Sequence, residues 1–282
     1  MTVDRGTPRA RVLGARLREA RQRAGLSLRQ MAEALGNVSH TAVGHWETGQ
    51  RSPSSDRVDQ FGRITGASEN ERKELVDLAQ DVDGPHWFSV GMPTQQQQLS
   101  ALIELERTAT QIIEVIYTLM PGLLQTADYA RALMTSGGIP KREIETRVAT
   151  RIGRREVLRS GSTRLLAIIG EPAILSTMGD TNVMIDQLRF LLKAAQWETV
   201  DLRVTPTRTG WHPALEGSFM LLKYESADPV VHLENRISGQ FLHQAHDVAA
   251  YEEALKVMLD VSLTPDESLG FISNQISRLE SL

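Results

Sequence analysis

Capping hydroxyls and helix-ending glycines alternate at short intervals through the first eighty residues, and that punctuation admits little besides a bundle of short helices. Ser27 precedes LRQMAEAL, Gln30 three residues on completes a capping box, and Gly36 closes the segment. Ser39 heads HTAVGHWE, and Gly49 supplies a left-handed stop. Upstream, Leu13, Leu17, Ala20 and Ala24 fall on one face of RARVLGARLREARQRAG, which Gly25 ends. Pro53, Ser54 and Ser55 open a fourth helix carrying Val58, Phe61 and Ile64, and Ser68 opens a fifth with Leu75, Val76 and Leu78. Helices this short are marginal alone in water, so they must pack on one another. An all-α, five-helix domain over residues 1–80 is expected. In its third helix Val43 and Trp46 are the expected inward pair, which turns His40, Thr41, Gly44 and His45 outward.

Charge separates this end from the rest. Residues 1–80 hold 13 Lys+Arg against 10 Asp+Glu, whereas the whole chain carries a net charge of −4. Eight arginines fall within the first thirty residues. A basic end on an acidic body suits a protein that meets a polyanion at one end. The chain has no cysteine, which removes disulfides, thiol nucleophiles and thiolate metal sites. No apolar run approaches membrane-spanning length, and MTVDRGTPRARV lacks the apolar stretch of a secretory signal, so a cytoplasmic protein is expected.

Five short helices with a turn between the second and third describe a helix-turn-helix module. Residues 11–65 resemble the Xre-type, phage-repressor-like DNA-binding domain. The resemblance is carried by Leu17, Arg18, Ala24, Gly25, Leu26, Ser27, Met31, Ala32, Leu35, Gly36, Ser39, Val43, Trp46, Glu47, Gly49, Arg51, Pro53 and Ser54. It implies a third helix lying in the major groove of a double-stranded DNA operator, with His40, Thr41, Gly44 and His45 at base edges. An imidazole can donate to or accept from a base edge, and a Thr methyl can touch thymine. Phosphate attraction is blind to sequence and base contacts are not, so a weakly charged reading helix with arginines on its flanks is sensible. Arg18, Arg21, Ser27, Arg29, Ser39 and Arg51 are the candidate phosphate contacts. Leu28 stands where that family usually has Gln, leaving Arg29 as its expected substitute, and the turn GNVS is one residue longer than the commonest form.

DVDGPHWFSVGMPTQQQQ, residues 81–98, reads as a linker. Beyond it, residues 99–282 are expected to form a larger α+β domain in which helices surround a small sheet, so that the whole chain is α+β. Helical spacing is read over Gln95–Tyr117, LLQTADYARALM, residues 141–158, Val183–Trp197, Asp247–Val261 and Pro265–Leu279. Strands are expected at Leu165–Gly170, Val200–Thr205, Ser218–Tyr224 and Pro229–Asn235. One isolated module reads few base pairs, so a homodimer is expected, with residues 99–116 or 246–279 as its contacts.

The stretches PGLLQTADYARALM, RVATRIGRREVL, IIGEPAIL, MIDQLRFLL, GWHPALEGSFMLLKY, VHLEN and LTPDESLGFI resemble consecutive blocks of a C-terminal domain found in actinobacterial, antitoxin-like Xre regulators. That likeness implies a transcriptional regulator responding to a small partner protein encoded by a neighbouring gene. Glu106, Arg151, Arg154, Glu171, Gln187 and Glu234 match polar positions of those blocks and are the candidate partner or ligand site; ion pairs between helices are the plainer reading of the same residues. A small molecule bound in this domain is the alternative signal. His232 and Glu234 share one face of a strand with His243 and His246 downstream, but the family blocks have Tyr at the position of His232, so no metal is expected. No phosphate-binding glycine loop or nucleophile elbow is present, and neither catalysis nor a cofactor is expected.

Overall fold

The computed structural model describes residues 6–281 except 81, 83, 85, 91, 160, 162 and 237, and between 86 and 98 it describes the backbone only. The architecture is α+β. The chain divides into two compact units, Met1–Thr108 with Lys223–Val248, and Ala109–Leu222 with Ala249–Leu282.

In the first unit the expected helices form where the caps place them. They are α1 (Pro8–Arg23), α2 (Leu28–Leu35), α3 (His40–Glu47), α4 (Ser55–Ile64) and α5 (Glu69–Ala79). Thr7, Ser27, Ser39, Ser54 and Ser68 each accept a backbone N–H at the start of one helix, and capping boxes close at Ser27–Gln30 and Ser68–Glu71. Gly36 and Asn37 both adopt positive φ, 61° and 51°, which makes the lengthened turn before α3. Leu13, Leu17, Met31, Val43, Val58 and Phe61 are almost completely buried and form the core.

The junction of α1 with the end of α3 is unusually close. A β-carbon on Gly14 would sit 2.4 Å from the Trp46 carbonyl oxygen and 2.9 Å from Glu47 backbone atoms. One on Gly49 would sit 2.8 Å from the Arg11 Cα. Glycine at these positions lets two backbones touch, and at Gly49 (φ 74°) it also supplies the left-handed stop. The front of α1 is tied down as well. The Thr7 hydroxyl donates to the Val82 carbonyl, and the Arg9 guanidinium donates to the carbonyls of Asp77 and Leu78 at the end of α5.

The reading of 81–98 as a linker changes. His86–Val90 is a strand, β1, and Met92–Thr108 is a helix, α6. The rest of this unit comes from far along the chain. There β6 (Val230–Glu234) and β7 (Ser238–Leu242) form a hairpin, and β7 pairs antiparallel with β1, His86 opposite Leu242. Cross-strand backbone pairing thus joins segments that the expected boundaries 1–80, 81–98 and 99–282 keep apart.

In the second unit β2 (Gln111–Ile116), β3 (Arg164–Gly170), β4 (Val200–Thr205) and β5 (Phe219–Lys223) lie in the order β5-β2-β3-β4. Strands β2, β3 and β4 are parallel. Parallel strands need long crossovers. These are α7 (Ala127–Ser136), α8 (Lys141–Arg154) and α9 (Glu156–Arg159), then α10 (Glu171–Leu175) and α11 (Thr181–Ala194). The helix expected over Gln95–Tyr117 ends at Thr108, and Ile112 to Val115 are strand residues buried on both faces. A run of β-branched residues enclosed from both sides suits a parallel strand better than a helix with one wet face.

The chain closes with α12 (Ala245–Val261) and α13 (Pro265–Glu280). The latter is capped by Thr264 and Glu267 and covers the β4 edge, where the Ser268 hydroxyl accepts the Val204 N–H at 2.9 Å and Leu263 N–H donates to the Val204 carbonyl at 2.8 Å. Ile272, Ile276 and Leu279 are buried within the protomer, so the apolar face of 265–279 is used for folding rather than left open for a second copy. Gly14→Ala tests the helix junction. The added methyl meets backbone that cannot rotate aside, so urea unfolding should show a loss of about 1–3 kcal/mol despite alanine's better helix propensity.

Candidate nucleic-acid interface

The third helix presents a mostly neutral outer face. His40 and Thr41 are exposed at its start, Gly44 and His45 are half-buried one turn later, and Val43 is fully enclosed. The second inward residue is Glu47, with Trp46 only half-buried, so the inner stripe runs 43–47 rather than 43–46. A carboxylate can occupy that inner place because an arginine meets it there. Arg21 Nε donates to Glu47 Oε1 at 2.5 Å and Nη2 donates to Oε2 at 2.8 Å, while Nη1 donates to the Leu26 carbonyl at 2.6 Å. Side-chain exposure is 11% for Arg21 and 5% for Glu47. The hydrogen bond to Glu47 holds the guanidinium pKa above its ordinary value against the opposing cost of burial.

That pairing corrects the reading of Arg21 as a phosphate contact. All three of its nitrogens are engaged inside the fold, and it pins α3 to α1 and to the turn before α2. The other phosphate candidates stay at the surface. Arg18, Arg29 and Arg51 are exposed. Ser27 and Ser39 are exposed too, their hydroxyl oxygens accepting the Gln30 and Ala42 N–H groups. Leu28 packs near α3, its Cδ1 4.0 Å from where a Gly44 β-carbon would stand. Gly14, Glu47 and Gly49 position this face without belonging to it. Gly14 was legible only as a glycine inside a helix, where it costs about 1 kcal/mol relative to Ala and therefore wants a packing reason.

The six polar residues read as a partner or ligand site divide between the two units. Glu106 and Glu234 belong to the first unit, Glu106 wholly buried on α6 and Glu234 exposed on β6. In the second unit Arg151, Arg154 and Gln187 surround the PGLLQT stretch that follows β2. Gln187 accepts the Thr126 N–H at 2.7 Å and donates to the Leu124 carbonyl at 2.7 Å. Arg151 donates to Gln125 Oε1 at 3.1 Å, and the Arg154 guanidinium lies against Gly122. Glu114, Gln125 and Arg155 join them: Glu114 accepts the Gly122 N–H, Gln125 donates to the Met120 carbonyl, and Arg155 donates to the Leu123 and Gln125 carbonyls. Gln187, Glu114, Gln125 and Arg155 satisfy the backbone of a buried irregular stretch, and Arg151 braces the Gln125 side chain. Glu171 accepts both the N–H and the hydroxyl of Thr207, at 2.7 and 2.8 Å. The His232 ring stacks on Phe241 at 4.6 Å between centroids.

Two arginines separate folding from recognition. Arg21→Met should unfold at markedly lower denaturant, with a loss of about 3–5 kcal/mol, because it strands Glu47 in the interior. Arg51→Ala should unfold like the parent, and if it contacts phosphate it should lower DNA affinity and reduce the salt slope by about 1. Equal stability of Arg21→Met and the parent would contradict the pairing.

Comparison with known proteins gives two matches. A model described as a helix-turn-helix domain matches residues 12–75, which run from α1 into α5. No curated protein matches the chain. The N-terminal part is thus the helix-turn-helix domain of a DNA-binding regulator. No helix among the described residues is long and apolar enough to cross a membrane. A model described as a domain of unknown function, DUF5753, matches residues 99–274. This match spans more than half of the sequence, and the chain belongs to the DUF5753 family.

Proposed function

We propose that the protein is a sequence-specific transcriptional regulator of the Xre type that binds operator DNA as a homodimer, with α3 in the major groove. The observation that carries this reading is the outer face of α3: exposed His40 and Thr41 begin a helix whose one acid is buried, and the exposed Arg18, Arg29 and Arg51 supply positive charge around it. Neutral hydrogen-bonding tips discriminate bases, and peripheral guanidinium groups attract any duplex. Two copies on half-sites about one helical turn apart give the length of site that one module lacks.

In this reading the DUF5753 region receives the signal, and a small partner protein encoded nearby, as in antitoxin-like regulation, is the favoured source. A small-molecule signal is less favoured, because two of the polar groups offered for a ligand are already engaged, Gln187 on the PGLLQT backbone and Arg151 on the Gln125 side chain. The protein acts by binding, without catalysis or cofactor. Selection of bound DNA from a random library at fixed salt tests the proposal. The parent should recover a two-fold symmetric consensus. His45→Ala should flatten one position of each half-site, at about 1–3 kcal/mol per lost base contact. An identical consensus from parent and variant would remove His45 from the reading set, and no enrichment from the parent would end the regulator proposal.

A further inference from the structure

Arg11 touches two features at once. Its backbone is the seat of Gly49, where a β-carbon would come within 2.8 Å of the Arg11 Cα and 2.9 Å of its nitrogen, and Gly49 is the stop of α3. Its side chain places the guanidinium carbon 4.0 Å from the centroid of the Tyr224 ring. Tyr224 directly follows Lys223, the last residue of β5. The polypeptide leaving β5 therefore runs into a ring that bears, through one arginine, on the end of the reading helix.

The chemistry of this contact has opposing parts. The Tyr224 hydroxyl and Arg11 Nη2 are both enclosed, and neither makes a well-aligned hydrogen bond. Burial pushes the phenol up to about 12, with Arg11 opposing the shift and the buried Glu106 of α6 adding to it, so the hydroxyl stays neutral. A desolvated cation over an aromatic face is favourable, whereas enclosed polar groups without well-aligned partners are costly. With gain and cost opposed in one contact, a bias from elsewhere can shift it between made and broken. A break would be felt at α3, because its end meets α1 backbone to backbone and a close-packed junction moves as one piece.

We propose that the Arg11–Tyr224 contact is the conformational link through which the DUF5753 region holds or releases the C-terminal end of α3, an inference that rests on the regulator reading only for its purpose. Amide hydrogen exchange on the full chain, without DNA, tests it. The probes are the N–H groups of Thr48, Gly49 and Arg51, which bond to the carbonyls of Gly44, Trp46 and His45. Tyr224→Leu keeps apolar bulk and removes the aromatic face; these three amides should then exchange about tenfold faster. Tyr224→Phe keeps the ring and deletes the hydroxyl, and it should leave them unchanged or slower. Should Tyr224→Leu fail to fold, Arg11→Met, which keeps the backbone seat for Gly49, carries the same expectation. Faster exchange confined to residues 223–230, or equal acceleration in the Phe and Leu variants, would overturn the link. Because exchange is read without DNA, a failed operator selection would leave this result standing, and a failed exchange test would leave the operator reading intact.

Discussion

Two backbones meet with no side chain between them where α1 crosses the end of α3, and the presentation of the outer face depends on that seat. Gly14 and Gly49 make the approach possible, and the Arg21–Glu47 pair locks it two turns further along the same face of α1. A buried ion pair adds little net stability over a well-packed apolar pair, yet it is intolerant of losing one partner, so it specifies one arrangement. The front of α1 is held as well, by Arg9 on the end of α5 and by Thr7 on Val82 beyond it. His40 and Thr41 point outward as a consequence of how the opposite face is held.

Polar side chains play a comparable part in the second unit. The stretch after β2 has an irregular path and buried leucines, Leu123 and Leu124, so its peptide groups cannot turn to water. Gln125, Gln187, Arg155 and Glu114 take over that duty, and Arg151 braces the Gln125 side chain. Buried amides and guanidinium groups are worth keeping only when nearly every hydrogen bond is made. The conspicuous polar residues of PGLLQT and the helices facing it thus hold an irregular stretch in place.

Local rules read much of this fold in advance. The caps at Ser27, Ser39, Ser54 and Ser68 act on residues two or three positions away, so α2 to α5 begin close to where sequence places them. Strands β3 and β4 were equally plain, the first as an apolar run and the second as an alternation of apolar and polar residues. Misreadings arose where partners are distant. Trp46 looked like the inner residue because apolar character was weighed without Arg21, which is 26 positions from Glu47. Strand β2 looked helical because Ile112, Ile113 and Ile116 also fit helical spacing, and only enclosure on both faces distinguishes the two.

The sequence by itself determined the local grammar: which residues start and stop each helix, which face of α3 bears imidazole and hydroxyl tips, and that no thiol chemistry is available. Those outcomes depend on contacts within a turn or two of chain. The tertiary structure decided the allocation of charged and polar groups. It turned Arg21 inward to Glu47, committed Gln187 and Arg151 to a loop, seated Arg11 on Tyr224, and gave Lys223–Val248 to the unit that holds α3. Each of these joins residues far apart in the chain, and a charged or amide side chain looks the same in sequence whether it faces solvent or a buried partner.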